Sequence, residues 1–208
     1  MTFFCCRINY KNLMNYQMLL ATENQNSNFM HDEVVLVNEH DDEIGYMPKL
    51  EAHQKGVLHR AFSVFIFNTK GEVLLQQRAF GKYHSEGLWS NTCCSHPLPH
   101  ESTASGAARR LQEEMGIQAP LNFLYSFLYK VKLENSLTEH ELDHVFWGIS
   151  DHEPIINTAE ASNFKYISIT DLTADIDYNP GKYTEWLKIC LDDVIVQLEP
   201  VLNILYKL

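Results

Sequence analysis

Arg109-Arg110-Leu111-Gln112-Glu113-Glu114-Met115-Gly116-Ile117 closes a helical stretch that starts near Glu101, and it places two adjacent carboxylates at a helix C-terminal end. Arg109 and Arg110 stand four residues before Glu113 and Glu114, the spacing of ordinary surface ion pairs. As helix stabilisers they are poorly placed, because acids at a C-terminus oppose the macrodipole and arginine N-terminal to glutamate is the weaker order of such a pair. A role tied to a cation follows. Just upstream, Asn91-Thr92-Cys93-Cys94-Ser95-His96-Pro97-Leu98 sets a thiol two residues before an imidazole, with a proline fixing the exit.

Outward from this helix the chain reads as strands. Val34-Val35-Leu36-Val37 is a short apolar strand, and Ala61 to Phe67 with Val73 to Gln76 flank an Asn68-Thr69-Lys70-Gly71 turn, which predicts a β-hairpin. Phe123 to Val131, Leu142 to Ile149 and Phe164 to Ile169 are rich in aromatic and β-branched residues and are further strands. Helices are predicted over 102–115 and 181–206; the second presents Trp186, Cys190, Val194, Leu198 and Leu202 at helical spacing, with Pro200 expected to bend or divide it. This order implies an α+β domain, a mixed or antiparallel sheet with helices packed on it. Residues 1–29, whose Thr22-Glu23-Asn24-Gln25-Asn26-Ser27-Asn28 tract has no sustained period, read as a flexible extension, leaving 30–208 as a single domain.

With 208 residues, 45% of them apolar, the chain suffices for one well-buried domain. A formal charge of -11, with 16 Lys and Arg residues in no dense run, disfavours a nucleic-acid-binding surface. A phosphorylated ligand would therefore need a metal and a few local cations. Five cysteines, as Cys5-Cys6, Cys93-Cys94 and Cys190, form no evenly spaced framework and point to reduced thiols and a cytoplasmic setting. No apolar run approaches the ~20 residues that span a bilayer, and Arg7, Asn9, Lys11 and Asn12 interrupt any secretory core, so no membrane partner is expected.

Ten histidines are present, and His53, His59 and His96 are the most suggestive. With carboxylates from Glu139-His140-Glu141 they form a candidate set for a divalent transition metal, since imidazole and carboxylate are its usual ligand mixture. Taken singly, a histidine is more often a surface or hydrogen-bonded residue. Glu139 and Glu141 alternate along a predicted β-edge and share one face, although a solvated charged turn is the plainer reading. Cys94 is either a small buried hydrophobe or a reactive thiol. Arg78, Lys82 and Lys49 read alone as solvated cations, and Trp186 as core.

Taken together, His53 with His59-Arg60-Ala61-Phe62-Ser63, Leu88 through Pro97, Arg109 through Ile117 and Glu139-His140-Glu141 resemble the type I isopentenyl diphosphate isomerases, of the Nudix-like fold, from about Asp32 to the C-terminal helix. The resemblance implies a Nudix-like mixed sheet packed between helices. It implies a divalent metal, Mn, Zn or Mg, on His53, His59, His96, Glu139 and Glu141, and proton transfer by Cys94 and Glu141. Tyr129 matches the tyrosine beside the catalytic carboxylate, and Trp186 the tryptophan facing the reacting carbons. Lys49, Arg78, Lys82 and Arg110 match cations that hold a diphosphate, and Glu114 the carboxylate of a second site, for the Mg that the diphosphate brings. The partner is a small diphosphate, with the chain a monomer or homodimer.

The implied reaction is isomerisation of isopentenyl diphosphate to dimethylallyl diphosphate, early in isoprenoid synthesis. The alternative is a Nudix hydrolase acting on a nucleoside diphosphate derivative. Against it, Ser95 stands where the general Nudix box has its first glycine, and Arg110 replaces the glutamate that follows the box arginine, here Arg109, while Glu101 is retained. Exchanging a metal-binding acid for a phosphate-binding base argues against hydrolysis. Ser85-Glu86-Gly87 also puts an acid beside the expected active-site loop.

Overall fold

The computed structural model describes residues 33–205. The predicted extension over 1–29 lies outside the described residues, as do Cys5 and Cys6. Strands β1 (Glu33–Val37), β2 (Glu43–Pro48), β3 (His59–Phe67), β4 (Val73–Arg78), β5 (Trp89–Ser90), β6 (Cys93–Ser95), β7 (Asn122–Lys132), β8 (Thr138–Ile149) and β9 (Ala161–Ile167) form one sheet. Helices α1 (Lys49–Lys55), α2 (Thr103–Met115), α3 (Ile169–Tyr178) and α4 (Glu185–Leu205) complete the described fold.

β3 is the axis of the sheet. It runs parallel to β8 from His59↔Glu141 to Phe67↔Ile149 and antiparallel to β6 from Phe62↔Ser95 to Val64↔Cys93. Side chains alternate across a strand, so β3 feeds two layers. Phe62, Val64 and Ile66 join Leu111 and Met115 of α2, while Phe65 and Phe67 join Leu187, Leu191 and Val194 of α4. The sheet is therefore mixed and lies between helices, as predicted. Burying an aliphatic or aromatic side chain of this kind contributes roughly 1.5–3 kcal/mol, so β3 is held by its two helix layers as well as by its ladders.

The predicted hairpin is only partly realised. β3 and β4 pair at Phe67↔Val73 alone, after which β6 occupies the place beside β3 and β4 turns to β5 and β9. The short β6 segment thus displaces a sequence neighbour. β8 begins at Thr138 and lies between β3 and β7, so Glu139 and Glu141 sit in the interior of the sheet and not on an edge. The strand expected to reach Ile169 stops at Ile167, because the Ser168 hydroxyl accepts the Asp171 N–H and caps α3, an unpredicted helix. α4 begins at Glu185, later than expected, and runs unbroken through Pro200. Among the described residues no helix is long and apolar enough to cross a membrane.

α2 carries both helix signals in its sequence. The Ser102 hydroxyl accepts the Ser105 N–H at its start, and Gly116 ends it at φ 67°, its N–H returning to the Gln112 carbonyl. A Cβ added at Gly116 would lie 2.8 Å from both the Cβ and the carbonyl oxygen of Ile155. Gly116→Ala is expected to destabilise the protein by about 2 kcal/mol in urea melts, from the left-handed backbone and the clash together. A loss within the ~0.5 kcal/mol of an ordinary surface change would contradict this account of the α2 terminus.

Candidate active site

The register that fixes the sheet also fixes the site. On the α4-facing side of β3 and β8, Phe65, Phe67 and Val145 form an apolar half under that helix. Toward the start of both strands the same face turns polar: Ser63 and Asp143, then Glu141 opposite His59. β6 adds Cys94 opposite Ser63, whereas Cys93, opposite Val64, goes to the α2 layer and is fully buried. The pleat thus decides which of the adjacent thiols reaches the cavity. Cys93, Cys94 and Cys190 are all free.

α1 brings Lys49 and His53 one turn apart onto its inner face, with the His53 Nδ1 hydrogen donated to the Lys49 carbonyl at 2.6 Å. His59 Nδ1 likewise donates to the Val57 carbonyl at 2.8 Å. Both Nε2 atoms then face the interior, and neither has a hydrogen-bond partner. The His59 Nε2 faces Glu141 Oε1 at 3.4 Å, and the same oxygen lies 3.0 Å from His96 Nε2. Unpartnered imidazole nitrogens beside a carboxylate in a buried space are what a cation relieves. One ligand atom from each of His53, His59, His96 and Glu141 lies within 4.8 Å of the others, so the donor set fits a divalent metal. Burial lowers His53 to about 4 and His96 to about 3, which keeps both imidazoles neutral for such a role.

Tyr129, paired across the strands with Glu141, bridges two carboxyls. Its hydroxyl lies 2.6 Å from Glu141 Oε2 and 3.0 Å from Glu139 Oε2. One hydroxyl has one hydrogen to give, so the pair is complete when one carboxyl holds a proton. Burial, reinforced by the Glu141 charge, raises Glu139 well above the usual carboxylate range. Burial opposes ionisation of Glu141 too, but the His59 and His96 imidazoles outweigh it and hold Glu141 low. The two carboxyls are thus pushed in opposite directions, Glu139 upward and Glu141 downward.

Lys49, Arg78, Cys94 and Ser95 line both this inner cavity and an outer one of about 210 Å³. All four predicted cations, Lys49, Arg78, Lys82 and Arg110, line the outer cavity. Burial lowers the Lys49 pKa, and the charges of Arg78, Lys82 and Arg110 lower it further. Glu160 sits among them, ion-paired to Lys82 and 3.0 Å from Arg110. Glu114 lines the outer cavity, outside the metal-donor groups. Its carboxylate accepts from Arg110 at 2.8 Å and from Gln76 at 2.9 Å.

Trp186, at the start of α4, is buried against the inner cavity. Its indole N–H donates to the Ser90 hydroxyl at 2.8 Å, and the Arg78 guanidinium lies 5.1 Å from its ring. Burial pushes the Cys94 thiol up to about 12, so it holds its proton at neutral pH. The Ser85-Glu86-Gly87 acid does not enter either cavity, since Glu86 accepts the Gly81 N–H at 2.7 Å and closes its own loop.

A β-sheet between helices with a charged cleft at strand ends is the NUDIX arrangement, and a NUDIX domain model matches residues 57–187. The fold is shared with a Deinococcus radiodurans crystal structure, at TM-score 0.59 and 18% identity over 71% of this chain and 90% of that one. A MutT NUDIX hydrolase from Burkholderia pseudomallei superposes at TM-score 0.52 and 19% identity, over 65% of this chain and 96% of its own. Sequence relatives are far more similar. Isopentenyl-diphosphate Delta-isomerase 2 of Aromatoleum aromaticum is 51% identical over 80% of this chain and 88% of its own length. Isopentenyl-diphosphate Delta-isomerase of Pectobacterium atrosepticum is 51% identical over 76% and 88%. The chain belongs to the isopentenyl-diphosphate Delta-isomerase family, within the NUDIX fold.

Three residues of the site escaped the sequence reading. Glu160 had no motif around it, and His84 lay in a loop. Asp143 had a signal, because it continues the Glu139, Glu141 alternation onto the same face. It accepts the Ser63 hydroxyl at 2.8 Å, leaves Oδ1 without a partner, and is raised to about 8 by burial and then by Glu141. A carboxyl raised on folding contributes stability that is complete below its ordinary value of 3.8 and is lost as pH climbs toward about 8. In chelator-treated protein, the stability of Asp143→Asn relative to the wild type should therefore rise by something on the order of 5 kcal/mol between about pH 4 and pH 8. A difference between the two melting curves that does not change with pH would refute this.

Proposed function

We propose that the chain isomerises isopentenyl diphosphate to dimethylallyl diphosphate by adding a proton to the terminal alkene carbon and removing one from the allylic carbon, through a tertiary carbocation. The observation that carries this reading is the meeting of Cys94 and Glu141 in one cavity beside four convergent cations. An unactivated allylic hydrogen is a very poor acid, so protonation comes first. The reaction then needs one group that gives a proton and one that takes it, and Cys94 and Glu141 are that pair, with Tyr129 holding the Glu141 carboxylate.

Lys49, Arg78, Lys82 and Arg110 hold the diphosphate, and this remote binding energy positions a small apolar tail in the inner cavity. Trp186, which lines the inner cavity, would stabilise the carbocation by roughly 2 kcal/mol once desolvated, and Ser90 accepts its indole N–H. His53, His59, His96, Glu139 and Glu141 would hold a divalent metal, Mn, Zn or Mg, which supplies positive charge that tunes the proton affinity of the carboxylates. Glu114 would serve the Mg that accompanies the diphosphate, with Arg110 moving from Glu114 to phosphate oxygens. A hydrolase of nucleoside diphosphate derivatives is the lesser reading, because Arg110 occupies a position that the Nudix box gives to an acid. The enzyme works in the cytoplasm as a monomer or homodimer, with no nucleic-acid or membrane partner.

Cys94→Ala and Glu141→Gln should each lower conversion of isopentenyl to dimethylallyl diphosphate by about 10²–10⁴-fold, with circular dichroism unchanged. Turnover near wild type in either variant removes that residue from the mechanism. His53→Ala should lower the metal content of the purified protein, read by elemental analysis; unchanged stoichiometry would show that the ion does not need this imidazole.

A further inference from the structure

His84 lies in none of the motifs, yet it is only 5% exposed and lines the inner cavity. Its Nδ1 is turned to the Ser85 hydroxyl at 3.3 Å, and its Nε2 lies 3.8 Å from Glu139 Oε1. That gap is too long for a hydrogen bond. It is the separation of two donors on one ion, since imidazole nitrogen and carboxylate oxygen each bind a divalent metal at about 2.0–2.2 Å. One ligand atom from each of His53, His84 and Glu139 lies within 4.8 Å of the others. His53 also belongs to the group with His59, His96 and Glu141. Because its Nδ1 hydrogen is committed to the Lys49 carbonyl, His53 has a single nitrogen to offer. The two donor groups therefore share one nitrogen, and a single ion bound to it would lie within reach of both.

The backbone on both sides of His84 is pinned. The Asn135 amide donates to the Tyr83 carbonyl at 3.1 Å, and the Ser85 N–H donates to the Glu134 carboxylate. Both partners belong to the turn joining β7 to β8, the strands that carry Tyr129 and Glu139. The Arg78 guanidinium adds bonds to the carbonyls of His84 and Ser85. Such anchoring at 83 and 85 fixes the imidazole at the Glu139 side of the cavity, where its ring meets Trp186 edge-on at 6.1 Å.

We propose that His84 is a further ligand of the divalent ion held by the His and Glu residues, closing its coordination on the side that faces Trp186. The inference rests on the metal centre proposed above. It has a structural consequence: Lys82 is two residues away on the same loop, so ion binding and ordering of the diphosphate cradle become linked.

The test uses the full chain, stripped of metal and titrated with Co(II). Cobalt affinity is read by competition with a chelator, coordination by the cobalt d–d absorption, and imidazole number by X-ray absorption of the wild type. One cobalt with four imidazoles is expected in the wild type. His84→Ala should still take up one cobalt, at least about 10-fold more weakly, with a more intense d–d spectrum as the coordination number falls. Three imidazoles in the wild type, or a His84→Ala spectrum superimposable on it, would overturn the assignment while leaving the centre intact. Weaker binding with an unchanged spectrum would make His84 a support for Glu139 and also overturn it. A wild-type protein that takes up no cobalt would overturn the centre and this inference together. The imidazole count needs no variant, so a misfolded His84→Ala cannot shelter the proposal.

Discussion

The parallel pairing of β3 with β8 sets His59 directly opposite Glu141, deep in the molecule, and most of the site follows from that register. Both residues are nearly inaccessible to solvent, and an isolated carboxylate in such a place costs several kcal/mol. The chain offsets this with neighbours from separate elements: His53 from α1, His96 beyond β6 and Tyr129 from β7. A slip of one residue between β3 and β8 would turn Glu141 toward the Val35 and Val37 cluster and Leu142 toward the cavity. The apolar halves of the same strands, packed under α4, guard against that slip.

The two cavities divide the work by charge. The outer one gathers four cations in a protein whose formal charge is -11, and Glu160 and Glu114 neutralise part of that cluster. The local field, not the overall charge, decides what binds there. The inner cavity holds the opposite problem, buried acids and imidazole nitrogens turned inward without partners. Cys94 and Arg78, with Lys49 and Ser95, line both cavities.

Much of this was legible in the residues. The α2 pattern, the strand segments and the ligand motifs carry local signals of period, capping and spacing, and the structure brings His53, His59, His96 and Glu141 into one donor group, with Glu139 in a second that shares His53. Long-range pairing was not legible. Nothing local in Cys93-Cys94-Ser95 says that it will displace β4 from β3, or in Thr138 to Glu141 that it will become an interior strand. α1 spans seven residues, too few for a hydrophobic period to show, and Pro200 was tolerated inside α4 although proline usually breaks a helix. His84 and Glu160 reach the cavities only through tertiary folding. Asp143 was visible as the third acid of an alternating series, where face sharing alone would have placed it beside Glu141.

Incubating the protein with isopentenyl diphosphate and divalent metal in deuterated water, followed by proton and phosphorus NMR together, tests the central claim most directly. The account predicts dimethylallyl signals carrying deuterium from the solvent, with the diphosphate intact. An unchanged alkene, or phosphorus signals reporting hydrolysis of the diphosphate, would contradict it.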